Sequence, residues 1–247
     1  MLKIWKDDIR EVKEMFVFVI GFLTEKEFNS PESQWFVSSS LLAADKNVGV
    51  SGFYWRSQSI DSLFNSDKKS AQKIILKGWA DAKREVKSAA KGLYESVKEL
   101  SKTYKVTIVS HSLGCRVVAE ALKQMKKPYV ENIVFMAAAC GYGHISEVDF
   151  NRAVRGRKLN IFSRSDVVLS KLYPVAENKI NVSNKLTVGN VFNMFLKFME
   201  GDRALGHIGG AADLGFEEHD AENVLKIKIG HLTYSKVSSK LITELLF

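Results

Sequence analysis

Ser112 lies in the segment Val109-Ser110-His111-Ser112-Leu113-Gly114-Cys115-Arg116-Val117. Before it runs the apolar, β-branched stretch Val106-Thr107-Ile108-Val109, which reads as a buried strand. After it, Leu113 to Met125 has the spacing of a helix. A serine between a strand and a helix, with small residues two places before and after, marks a sharp turn that holds its central residue in a strained conformation. Such a turn lifts the hydroxyl above the sheet. It also sets the Leu113 N–H at a helix N-terminus, where developing negative charge is stabilised. The chemistry is nucleophilic attack by oxygen. The alternative is that Ser112 merely caps the helix; a strand before and a helix after favour the turn.

A serine hydroxyl needs a base to take its proton, and the base needs a group to orient it. In a sheet of this kind these follow in the order serine, acid, histidine. Of His111, His144, His207, His219 and His231, only His231 follows a predicted strand, after a glycine and before a final helix. His111 adjoins the serine and is expected to point away from it as a structural residue, while His207 and His219 fall in a glycine-rich stretch. For the acid, Asp166 sits just after the predicted strand Lys158–Phe162, in Ser163-Arg164-Ser165-Asp166-Val167-Val168-Leu169. Its alternative role is a cap for a helix over 167–173. Asp149 is the fallback acid. A second oxyanion donor belongs after the first strand: Gly21 lets the backbone approach, and the Phe22 N–H is the candidate, with Leu23 next. The alternative for this segment is an ordinary turn.

These residues need a scaffold that brings loop ends together. Met15–Ile20 reads as a first buried strand, 33–44 as a helix and Val48–Tyr54 as a second strand. Residues 68–102 read as a long helix with apolar members Ile74, Ile75, Trp79, Ala82, Val86, Leu93, Val97 and Leu100. Strands at 106–109, 133–136, 158–162 and 224–229 and a closing helix at about 234–245 complete the series. Strands alternating with helices specify an α/β fold: a mostly parallel sheet of about six strands with helices on both faces. Ligands then bind beyond the carboxyl ends of the strands, which is where the candidate residues fall.

Composition agrees with one folded α/β domain over 1–247: 46% hydrophobic and 26% charged residues, with three prolines and no linker or repeat. The formal charge of +8 is carried largely by lysines between 68 and 105, which suit the wet side of the long helix. Solvation is the default; peripheral contact with an anionic membrane is the second expectation. No nucleic-acid motif accompanies the charge. Cys115 and Cys140 form neither a close pair nor a metal cluster. A reducing, cytoplasmic setting is expected, since no secretory leader is visible and the apolar run 15–23 is too short to span a bilayer. The reaction requires no cofactor and no metal.

The elbow Ser-His-Ser-Leu-Gly, the acid loop Ser-Arg-Ser-Asp-Val-Val-Leu and the Gly-His-Leu-Thr-Tyr ending together resemble the α/β-hydrolase superfamily. With Ala204-Leu205-Gly206-His207-Ile208-Gly209, they are most similar to its lipase-like DUF726 branch. The resemblance runs from about 16 to 234. It implies a serine hydrolase cleaving carboxylic esters, including lipid esters, through an acyl-enzyme. Ser110 departs from the commoner glycine, and the leading antiparallel hairpin of larger relatives is expected to be absent. A thioesterase or acyltransferase would use the same groups, and a non-catalytic binding module is the alternative from another class. Residues 184–215, with Val188, Val191, Phe192, Phe195, Leu196 and Met199 spaced as one apolar face, read as a lid or as an ordinary core helix. Trp35, Trp55 and Tyr142 are candidates to line an acyl pocket or to pack the core. Oligomeric state is not legible.

Overall fold

The computed structural model describes residues 2–4, 12–22, 33–55, 68–177 and 203–247. Its strands are β1 (Leu2–Ile4), β2 (Glu14–Val19), β3 (Gly49–Phe53), β4 (Lys105–His111), β5 (Asn132–Met136), β6 (Lys158–Phe162) and β7 (Glu217–Asp220). They form one sheet in the order β1-β3-β2-β4-β5-β6-β7. All neighbours from β3 to β7 pair parallel, with Phe18 beside Val109 and Ser110 beside Phe135. Only β1 is antiparallel, pairing Leu2 with Phe53 at the sheet edge.

Alternation along β2 explains why the sheet is covered on both sides. Met15, Val17 and Val19 enter one apolar cluster, while Phe16, Phe18 and Ile20 enter the other. On the first face lie the long helix α2 (Lys68–Leu100) and α3 (Gly114–Lys123). Val86, Ala90, Leu93 and Val97 recur at three- and four-residue spacing in α2 and reach this core. On the second face α1 (Gln34–Lys46) packs against the C-terminal helix (Tyr234–Leu246). Ser38 and Ser238 hydroxyls meet across that contact at 2.8 Å, so neither buried hydroxyl is left unpaired. Ser33 caps α1, accepting from the Phe36 N–H.

One strand expectation is corrected, and one strand was not foreseen. Residues 224–229 do not form the last strand: they end a short helix (Ala221–Leu225) and continue as a loop. The last strand is Glu217–Asp220, four polar residues. An edge strand pairs on one side only and need not be apolar, so periodicity passes over it. Asp220 then stops the strand by accepting from the Glu222 N–H and starting the helix. At the other edge, β1 adds an antiparallel strand ahead of β2 that hydrophobic patterning did not predict. Three residues are too few to show a period.

The order β3-β2-β4 means that the chain leaves β2 to one side for β3 and returns across it for β4. A crevice therefore opens between the carboxyl ends of β2 and β4, the place where a sheet of this kind holds ligands. Gly21 follows β2 there, and Ser112 follows β4. Of the candidate lid, residues 184–202, including all six apolar positions, lie outside the described residues. Residues 203–215 contain a short helix (Leu205–Ile208) and a 3-10 turn (Ala212–Leu214).

Candidate active site

Ser112 is the turning point between β4 and α3, with φ of +55°. That left-handed conformation is costly for a residue with a side chain and persists only where the surroundings hold it. Here they do. The Ser112 N–H donates to Met136 O at 3.1 Å, and its carbonyl accepts from Cys115 at 3.2 Å and Ala139 at 3.1 Å. A Cβ on Gly114 would lie 2.2 Å from Val19 O, so glycine is required because the elbow presses on the end of β2. Ser110 needs no glycine: its hydroxyl is buried against Val134 O and Cys115 Sγ.

The three residues named from chain order come together. Ser112 Oγ is 2.9 Å from His231 Nε2, and His231 Nδ1 is 2.7 Å from Asp166 Oδ2. Asp166 is fully buried. A carboxylate in that position accepts, so Nδ1 carries the proton and Nε2 is left to accept from the Ser112 hydroxyl. Asp166 also performs the capping role: Oδ1 accepts from the Leu169 N–H at 2.9 Å. The cap and the contact with His231 thus use different oxygens of one carboxyl group. Asp149, the fallback acid, caps a separate short helix through the Arg152 N–H and takes no part.

A second layer holds the loops of the acid and the base together. Ser163 Oγ donates to Ile229 O, while the Ser163 N–H donates to Gly206 O at 3.0 Å. His207 Nε2 donates to Arg164 O at 3.2 Å. Gly206 allows this docking: a Cβ there would lie 2.0 Å from Ala138 N. The motif around Gly206 therefore joins the acid loop to the small, buried run Ala137-Ala138-Ala139 beside the elbow. Three consecutive alanines after a strand were the available signal for that crowding.

His111 is corrected in part. It is structural, but it does not simply point away: Nε2 donates to His231 O at 3.1 Å, and the two imidazoles lie 4.8 Å apart. Trp35 and Tyr234 complete its surroundings. Burial pushes the His111 pKa well down, and the neighbouring His231 pushes it further. His111 is accordingly neutral and places no positive charge beside His231.

For the oxyanion, neither the Leu113 nor the Phe22 N–H is taken by an acceptor among the described residues. Gly21 stands against the first of them: a Cβ there would come within 2.7 Å of Leu113 N. Phe22 is held by its ring, edge-on to Trp79 at 5.7 Å; Leu23 lies outside the described residues. Trp55 serves the same loop, its Nε1 donating to Ile20 O at 2.6 Å. Of the other aromatics proposed for a pocket, Trp35 packs in the core and Tyr142 donates to Asp213 at the surface. A cavity of about 220 Å³ beside Arg116, Lys83 and His144 contains none of the reactive groups. Among the described residues no cluster of histidines, cysteines and carboxylates suits a metal, and Cys115 and Cys140 are free, buried thiols.

The sheet order, the elbow after β4 and the acid and histidine after later strands define the α/β-hydrolase fold. The chain belongs to the DUF726 family of proteins of unknown function, whose model matches residues 69–201. No curated protein matches it by sequence. Among solved structures, it is similar to an α/β-superfamily protein from Xanthomonas campestris pv. campestris, at 12% identity and a TM-score of 0.49, covering 95% of this chain and 98% of that one. An α-β serine hydrolase homologue from Coxiella burnetii shares 11% identity at a TM-score of 0.48, over 100% and 90% of the two chains. A further Xanthomonas campestris structure, described as an a/b serine hydrolase without lid, shares 13% at 0.44, over 99% and 86%.

Proposed function

We propose that this chain is a serine hydrolase that cleaves carboxylic esters through an acyl-enzyme. The observation that carries this is the unbroken relay Asp166–His231–Ser112, at 2.7 and 2.9 Å, ending on a serine held at positive φ. Ser112 Oγ attacks the ester carbonyl while its proton passes to His231 Nε2. The resulting imidazolium is stabilised by the buried Asp166 carboxylate. The carbonyl oxygen, now negative, is received by the Leu113 and Phe22 N–H groups. His231 then gives its proton to the leaving alcohol. Water, deprotonated by the same imidazole, attacks the acyl-Ser112 ester and releases the acid.

No helix among the described residues is long and apolar enough to cross a membrane. The reaction is tested on the purified chain. A fluorophosphonate probe is expected to label the wild type and to leave Ser112→Ala unlabelled, with p-nitrophenyl esters turned over only by the labelled protein. Equal labelling of both would place the reactive nucleophile elsewhere and overturn the assignment.

A further inference from the structure

The loops that carry Asp166 and His231 also present a surface that the relay does not explain. Val167, directly after the acid, is 59% exposed; Leu232, directly after the base, is 70% exposed; Ile227 is 50% exposed on the segment leading to His231. Ile208 is exposed on the helix docked to the acid loop through His207. These four come from three segments joined by the Ser163–Ile229, Ser163–Gly206 and Asp166–His231 hydrogen bonds. Together they put exposed apolar side chains on the loops that carry the relay and on the helix docked to them, as at an interaction site.

The exposed charges on the two segments that carry Asp166 and His231 have one sign, while the neighbouring carboxylates of Asp213 and Glu222 accept from the Tyr142 hydroxyl and the Ile229 N–H. Residues 164–172 and 226–240 contain Arg164, Lys171, Lys226, Lys228, Lys236 and Lys240, and the single carboxylate is the buried Asp166. All six basic residues are exposed. None forms an ion pair with another described residue. This contrasts with the long helix, where lysines at 83 and 98 face carboxylates. Lysines alternating with exposed isoleucine, as in Lys226-Ile227-Lys228, suit a partner that is anionic at its surface and apolar just beneath.

We infer that this rim docks on a bilayer containing anionic phospholipid. The apolar side chains enter the headgroup boundary and the basic residues bind lipid phosphates. The substrate class follows, resting on the hydrolase reading: an acyl ester of a membrane lipid, delivered to Ser112 from the docked surface. An acidic protein or a nucleic acid would engage the lysines but leave Leu232 and Val167 without a function.

The test is co-sedimentation with phosphatidylcholine vesicles, with and without about 30% phosphatidylserine, at physiological salt. Ser112→Ala is carried alongside the wild type, so that docking is read independently of turnover. Both are expected to bind the anionic vesicles and not the neutral ones. Ile227→Asp with Leu232→Asp, and separately Lys226→Glu with Lys228→Glu, are each expected to weaken binding more than about tenfold. Absence of binding to anionic vesicles overturns the inference. So does binding that the lysine variant abolishes and the apolar variant leaves intact, which would identify an acidic macromolecule as the partner. If Ser112→Ala docks while the wild type shows no ester turnover, the surface stands and the hydrolase reading falls.

Discussion

Two buried polar clusters flank the elbow, and they differ in whether their hydrogen-bonding capacity is filled. In one, Arg116 of α3 is buried among four partners. Nε donates to Ala139 O at 2.7 Å, and the guanidinium also reaches Glu177 at 2.9 Å and the Tyr173 hydroxyl at 3.3 Å. Its fourth partner, the Trp79 ring, lies 5.8 Å from the guanidinium carbon. Glu177 in turn accepts from Trp79 Nε1 at 2.8 Å and Lys83 at 3.3 Å. Burial alone would push the Glu177 carboxyl up, but Arg116, Trp79 and Lys83 together hold it below its usual value. In the other cluster the chain Asp166–His231–Ser112 ends on a hydroxyl beside N–H groups that no described acceptor takes. A filled cluster fixes geometry, whereas an unfilled one has capacity left for a transition state. The same short segment joins them, with Asp166 at its start and Glu177 at its end.

The largest expected effect tests the unfilled cluster. Ser112→Ala, or Asp166→Asn, should lower kcat for a soluble ester by about 10⁴-fold, with the thermal unfolding midpoint little changed. Turnover near wild type in either would erase the distinction between the clusters. The next effect reverses the pattern. Arg116→Met leaves Glu177 buried without its main counter-charge and should cost about 3–5 kcal/mol of stability, read from urea unfolding. Adding Glu177→Leu should recover most of it, because the isolated charge is then gone. A stability loss without a comparable fall in turnover per folded molecule would confine Arg116 to scaffolding.

A smaller effect tests the close approach of the first loop to the elbow. Gly21→Ala puts a methyl group 2.7 Å from both Leu113 N and Ser112 Cβ. It should reduce kcat by about 10- to 100-fold, while fluorophosphonate still labels Ser112. The smallest concerns His111, whose folded-state pKa lies below its ordinary value of 6.5. Above about pH 6.5 both folded and unfolded chains hold it neutral, and its full contribution to stability is present. As pH falls below that value the unfolded chain takes the proton first, so stability is lost down to the folded-state pKa. His111→Gln should flatten this part of the pH–stability curve, measured by urea midpoints between about pH 7.5 and 5.5.

Legibility followed the range of the interaction. The elbow is spelled in five adjacent residues, Ser110 to Gly114, because its constraint is local: a tight turn, a strand behind it and a helix in front. Asp166 and His231 were named from their order after strands, although neither is near Ser112 in sequence. His231 was named as the histidine after a strand at 224–229; that strand is absent, and what holds of its stated setting is the preceding glycine and the closing helix. By contrast, β7 was missed because Glu-Glu-His-Asp has no apolar period, and it is a strand only because β6 lies beside it.

What the order of residues determined by itself was therefore the alternation of elements, the tight turn at Ser112 and the chemical types available beyond each strand. The tertiary structure decided which of those types meet. It brought His111 against the carbonyl of a residue 120 positions away and closed Arg116 onto Glu177. It also left Val167, Ile208, Ile227 and Leu232 exposed on the loops that carry the relay and the helix docked to them. The physical reason is that helical and strand periods, and turn sterics, act between neighbours along the chain. Hydrogen bonds, ion pairs and exposure depend on distances that exist only once the sheet order is set.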